Sequence, residues 1–173
     1  MRMVDFVKMV RKHDPGGIAA DESILAVTAV KPRRYFARGT GGSAGIVGVV
    51  GVVASVAGDA IREAAAKRAE NAAGEPVGDA ATWPPLEDLA LVLTGRRVVL
   101  YDGGKGLRKL RGPVSEYSLE RIASIAFDKG KMWNVVRIAF ADGSVHELDS
   151  AKGQQLGAFV EAFVEALGRA KAG

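Results

Sequence analysis

Short runs in which apolar and polar residues alternate fill the second half of the chain, and turn residues separate them. Alternation with a period of two is typical of strands that bury one face. The pattern predicts an antiparallel meander, with Asp142-Gly143 as its strongest hairpin signal. The predicted strands are Ser23–Val30, Leu89–Thr94, Arg97–Tyr101, Val114–Ser118, Ile122–Phe127, Trp133–Phe140 and Val145–Leu148.

The spacing of the apolar residues changes after the last predicted strand. They then recur at intervals of three and one residues, which places them on a single face of a helix. They are Leu156, Phe159, Val160, Phe163, Val164 and Leu167. We expect a C-terminal helix that closes the sheet, with Asp149 or Ser150 as its N-cap and Gly168, Arg169 and Lys171 near its C-terminal end.

Residues 1–14 have the spacing of an amphipathic helix. Met3, Phe6, Val7 and Val10 share one face, and the cations lie mostly off it. This helix either docks on the sheet or lies on an anionic membrane. Docking is favoured, because so short a helix needs tertiary packing in water.

A glycine-rich run separates the first two predicted strands. Residues 39–73 are predicted to form an inserted helix with small residues on one face, namely Gly41, Gly45, Gly48, Gly51 and Gly58. Small residues let two helices approach closely, and a helix that is apolar all round must be buried. We rank burial against other copies of the chain first, burial in a bilayer second and burial within its own domain third. Residues 74–87 are predicted to be a linker, with Trp83 packed against the core.

Three stretches of the meander carry a family resemblance. Leu91–Gly104 contains a Thr-x-Arg hairpin, Glu116–Ile125 ends in an Ile-x-x-Ile strand, and Val136–Ser144 ends in Ala-Asp-Gly-Ser. Together these stretches resemble bacterial pleckstrin-homology-like (PH-like) domains, with Ile24–Val30 as the first strand and the likeness ending at Leu167.

The resemblance implies an α+β fold. We expect a PH-like antiparallel sheet or partly open barrel of about seven strands, formed by residues 22–31 and 88–170 and closed by the C-terminal helix. The glycine-rich helix would be an insertion after the first strand. Members of this family bind lipids, peptides and proteins, so the resemblance transfers a shape and no catalytic residues.

Charge adds two candidate binding clusters. The net charge of the 173 residues is +4, which is too small to indicate nucleic acid by itself. The cations that cluster are Lys31, Arg33, Arg34 and Arg38 before the glycine run, and Lys105, Arg108, Lys109 and Arg111 after the third strand. We interpret them as candidates for contact with an anionic surface.

Residues suited to catalysis are scarce. The chain has no cysteine, and its two histidines, His13 and His146, are far apart in sequence. We interpret both as surface residues. Gly39–Ala44 formally matches a dinucleotide fingerprint, but no second strand with a ribose-binding acid follows. We therefore predict no enzyme activity, no cofactor and no metal site.

These observations favour a non-catalytic PH-like interaction module in the cytoplasm. It would self-associate through its glycine helix and present a surface to a protein partner that the sequence does not identify. The alternative is a peripheral protein at the inner face of the cell membrane, which engages anionic lipid through the glycine-rich helix and the basic clusters. Nucleic acid is not expected as a partner.

Overall fold

A computed structural model describes residues 6–14, 16–32, 78–107, 109–152 and 154–172. Seven strands and two α-helices make up this part of the chain. In order they are α1 Phe6–His13, β1 Ile24–Pro32, β2 Leu89–Thr94, β3 Arg97–Asp102, β4 Gly112–Ser118, β5 Ile122–Asp128, β6 Trp133–Phe140, β7 Val145–Ala151 and α2 Leu156–Ala172. The expected α+β class, seven strands and C-terminal helix are confirmed. The inserted helix over residues 39–73 lies outside the described residues.

The strands form one open antiparallel sheet with the order β4-β3-β2-β1-β7-β6-β5. β1 joins its two halves, because it pairs with β2 from Ile24 to Val30 and then with β7 through Lys31 and Pro32. Every other pairing joins strands that are adjacent in sequence, as expected for a meander. β4 and β5 are therefore the two edges of the sheet.

The main core lies between the sheet and α2. Alternate residues of β2 face it, and Phe159 and Phe163 of α2 are each 1% exposed against it. The predicted helical stripe is correct except at its end, where Ala166 is buried and Val164 is 39% exposed. The helix therefore buries most of the predicted stripe, but near its C-terminal end the buried face is shifted from Val164 to Ala166.

A second, smaller core covers the other face of β1–β3. Val10 of α1 is fully buried there beside Val92 and Val99 of the sheet. The described part of the first predicted helix is thus docked on the sheet, the favoured alternative. With both of its faces covered, β2 is buried at every position.

The stretch before β2 closes the sheet at one end. Residues 78–82 form a 3-10 helix, and Trp83 is 8% exposed in the main core. Its ring stacks on Tyr117 and on His146, with ring centroids 5.7 and 4.8 Å away. The prediction that Trp83 packs against the core is confirmed. The prediction of a surface histidine is wrong for His146, which lies half-buried beneath the indole.

The predicted N-cap of α2 is also wrong. Asp149 and Ser150 belong to β7, which continues to Ala151, and α2 begins at Leu156. The Ser150 hydroxyl donates a hydrogen bond of 2.8 Å to the carbonyl oxygen of Ala29 in β1. Pairing with the central strand therefore extends β7 past the point where its alternation ends.

Candidate interface for an anionic surface

The sheet sorts its loops into two groups, because neighbouring antiparallel strands reverse direction. β1 is antiparallel to both β2 and β7, so the end of β1, the β3–β4 loop and the β6–β7 turn share one end of the sheet. We call it the basic end, for the cations Lys31, Lys105, Lys109 and Arg111. The β2–β3 turn, the β5–β6 turn and the β7–α2 connection lie at the opposite end, and the β4–β5 connection runs between the two ends.

The β3–β4 loop packs against the smaller core through its apolar residues and exposes its basic residues to solvent. Leu110 is 3% exposed and packs in the smaller core together with half-buried Leu107. Asp102 fixes the base of the loop, because its carboxylate accepts a 2.8 Å hydrogen bond from the N–H of Gly104 and its carbonyl accepts one from Arg111. Two leucines thus hold a short loop in place while its cations stay accessible.

The cations of this loop face solvent. Lys105, Lys109 and Arg111 are all exposed, and Arg111 lies 3.8 Å from the Asp102 carboxylate. No ion pair of Lys105 or Lys109 occurs among the residues that the structure describes. Their charges are therefore available to an external anion.

Lys31 differs from the other predicted cations. Its ammonium lies 2.8 Å from the carboxylate of Asp88, whose side chain is 7% exposed. The pair ties the end of β1 to the residue before β2. Lys31 thus neutralises a buried acid of its own chain and contributes less to an outside surface than its position in the sequence suggests.

The β5–β6 turn, at the opposite end of the sheet, carries two more cations that the sequence indicates only as part of a turn. Lys129 and Lys131 are both exposed. The neighbouring acid, Asp128, is paired instead with Arg137 on β6, which also binds Glu147 at 3.1 Å. Since Asp128 is engaged from within the sheet, it does not neutralise the two lysines.

Paired arginines distinguish the β2–β3 turn and the β4–β5 connection. Arg96 binds Asp21 at 3.1 Å, Arg97 binds Glu22 and Glu116, and Arg121 binds Asp79 at 2.5 Å. Hydrogen bonds to Asp79 raise the pKa of Arg121. The arginines of the turn and of the connection are thus paired with acids of their own chain.

Most of the other predicted binding residues lie outside the described part of the chain. They are Arg33, Arg34, Arg38 and Arg108 from the basic clusters, and Gly41, Gly45, Gly48, Gly51 and Gly58 from the glycine face. The structure brings Lys31, Lys105, Lys109 and Arg111 to one end of the sheet and places Lys129 and Lys131 at the other.

Within the described residues, no group of three or more histidine, cysteine, aspartate or glutamate side chains is arranged to hold a metal ion. None of the helices in that part of the chain is both long and apolar enough to cross a membrane. Comparison with known protein families and with characterised proteins finds no match to this chain.

Proposed function

We propose that the chain is a non-catalytic interaction module of the PH-like kind that binds an anionic membrane surface through its basic end. The open seven-stranded sheet with a C-terminal helix supports the PH-like part of this proposal. The observation that carries the function is the contrast between the loops. Exposed lysines stand together on the β3–β4 loop, whereas the arginines of the β2–β3 turn and the β4–β5 connection are paired with acids.

The available charge is enough for weak and reversible binding. Each cation near an acidic bilayer contributes about 1 kcal/mol, and salt screens it over roughly 8–10 Å. Lys105, Lys109 and Arg111 together would hold one copy loosely at low ionic strength. Self-association through the glycine face, the second part of the proposal, would multiply these contacts and strengthen binding without any new contact within one copy.

Sedimentation with vesicles of phosphatidylcholine and phosphatidylserine tests this proposal. We expect the protein to pellet with acidic vesicles at low salt, to be released at high salt and to ignore phosphatidylcholine alone. Changing Lys105 and Lys109 to Glu should abolish pelleting. The matched control changes Arg169 and Lys171 to Glu near the end of α2, an equal change of net charge at exposed positions, and should retain binding.

Other outcomes separate the alternatives. Equal loss in both double variants would mean that only net charge matters and that the basic end is not the interface. Binding that resists salt would instead indicate insertion of residues 39–58. No binding at any ionic strength would remove the membrane function and leave the interaction with a protein partner. The triple change of Arg33, Arg34 and Arg38 to Glu tests the other predicted cluster in the same assay.

A further inference from the structure

The helix α1 exposes only cations to solvent. Its exposed residues are Lys8, Arg11 and Lys12, which we call the cationic face of α1. The helix contains no acidic residue, and Arg11 and Lys12 form no ion pair with any residue that the structure describes. Docking of its apolar side on the sheet therefore leaves a helix surface of uniform positive charge.

The cationic face of α1 lies beside the β3–β4 loop. Val10 of α1 and Leu110 of the loop belong to the same smaller core, which covers β1–β3 on the side opposite α2. Arg11 follows Val10 directly in the chain. Leu110 is likewise flanked by Lys109 and Arg111. The helix and the loop that close this core thus both carry cations on their solvent sides.

The helix on the opposite face of the sheet, α2, has a balanced surface. Its charged residues are all exposed, and they comprise two acids and two bases, namely Glu161, Glu165, Arg169 and Lys171. Arg169 is also paired with Glu165. The sheet therefore separates a helix of positive charge from a helix without net charge, and an anionic surface would attract the α1 side.

We propose that the cationic face of α1 and the β3–β4 loop together form the surface that binds an anionic bilayer. The inference rests on the proposed function and adds the orientation of the molecule, with α1 facing the lipid and α2 facing away from it. The helix contributes cations and inserts no apolar residue, because Phe6, Val7, Met9 and Val10 pack in the smaller core. Docking on the sheet and contact with a membrane are thus compatible for this helix.

The docking of α1 is secured at its C-terminal end. The carboxylate of Asp14 accepts hydrogen bonds from the N–H of Gly17 at 2.8 Å and from the hydroxyl of Tyr101 at 3.1 Å. Tyr101 belongs to β3 and is fully buried, so this contact ties the residue after α1 to the sheet. A helix already held in place loses little conformational entropy when its cations meet a surface.

Binding to vesicles of phosphatidylcholine and phosphatidylserine tests the inference with variants of equal charge. Changing Arg11 and Lys12 to Gln should weaken binding about twentyfold or more, from roughly fivefold for each cation. Changing Arg169 and Lys171 to Gln removes the same charge from α2 and should leave binding as in the parent. Arg11→Lys combined with Lys12→Arg keeps the charge of α1 and should also bind like the parent. Gln forms helices about as well as Lys and Arg, and circular dichroism checks that the fold is retained.

A spin label reports the orientation directly. The chain has no cysteine, so one introduced cysteine carries the only label. A label on Lys8→Cys in α1 should be relaxed by nickel ions chelated on the lipid headgroups. A label on Gly168→Cys in α2, where a side chain meets open space, should not be relaxed.

The outcomes separate this inference from the proposed function. If the parent does not bind acidic vesicles, both fail. If charge reversal at Lys105 and Lys109 abolishes binding but the Gln changes on α1 do not weaken it, the inference is wrong and the proposed function stands. Equal weakening by the Gln changes on α1 and α2, or equal relaxation of the two labels, would also overturn the inference, because the molecule would then have no preferred side. Displacement by soluble glycerophosphoserine, at an ionic strength of NaCl that leaves the protein bound, would indicate a pocket for one headgroup and would overturn it too.

Discussion

Glu22 is a charged residue that is almost fully buried, with its side chain 3% exposed. Its carboxylate accepts hydrogen bonds from Arg97 at 2.8 and 3.1 Å and from the hydroxyl of Thr94 at 2.6 Å. The bonds from Arg97, against the opposing effect of burial, lower the pKa of Glu22 to about 2. Glu22 thereby fastens the segment before β1 to the β2–β3 hairpin. No sequence pattern indicates this contact, because the partners lie 75 positions apart.

The Glu22 contact predicts a defined dependence of stability on pH. A carboxyl whose pKa is lower in the folded state stabilises the fold above its unfolded pKa of 4.5, and that contribution is lost as the pH falls toward 2. Urea unfolding at several pH values should show the parent losing stability from about pH 5 downward, by at most about 3 kcal/mol from this group. Glu22→Gln should be less stable at pH 7 and should show a shallower decline. As a control, Asp21→Asn removes an exposed ion pair and should leave the dependence of the unfolding free energy on pH unchanged. If Glu22→Gln and the parent lost stability in parallel as the pH falls, Glu22 would not be the group responsible.

At the scale of elements, local patterns predict most of the fold. The strands β2–β7 and α2 follow from alternation, turn residues and helical spacing, since neighbouring strands pair in a meander. The N-cap of α2 could not be predicted, because a bond from Ser150 to Ala29, 121 positions away, draws it into β7. The burial of His146 could not be predicted for a similar reason, because the residue that covers it, Trp83, is distant in sequence.

The helix α2 offers a matched pair of neighbouring residues. Phe163 is 1% exposed in the main core, and Val164 is 39% exposed. Phe163→Ala should lower the free energy of unfolding by about 3–5 kcal/mol, as for other buried aromatic residues. Val164→Ala should change it by about 0.5 kcal/mol or less, as for a surface position. Chemical denaturation measures both, and equal losses would show that the helix does not bury the face described here.

At the scale of the whole molecule, the sequence located the basic loops but not their arrangement. Lys105, Lys109 and Arg111 are near neighbours in the chain, so their grouping is visible in the sequence. That Lys129 and Lys131 lie at the other end depends on the antiparallel pairing of β7 with β1, and that Lys31 is paired with Asp88 depends on a contact between β1 and the start of β2. The 76% exposure of Met132 in the β5–β6 turn has no signal in the pattern either, because alternation does not fix which turn residues face solvent.

Self-association remains a prediction at this scale. If the glycine face joins copies of the chain, changing Gly48 and Gly51 to Leu would hold two helix backbones apart. We expect light scattering to give a smaller mass for this variant than for the parent. Gly157→Ala and Gly168→Ala provide a control, since a side chain at either position meets open space, and the mass should stay as in the parent. An unchanged mass in the Leu variant would refute the glycine-face hypothesis.

The central place of β1 has a consequence for the entropy of the chain. Val30 pairs with Leu89 in the middle of the sheet, so folding must bring together the two ends of the long stretch of chain between them. The entropic cost of closure grows only with the logarithm of loop length. Even an unstructured connection of this length would cost on the order of 2 kcal/mol more than a tight hairpin turn. That is comparable to the gain from burying one leucine side chain, so a well-packed sheet can carry a long stretch of chain between two of its most buried strands.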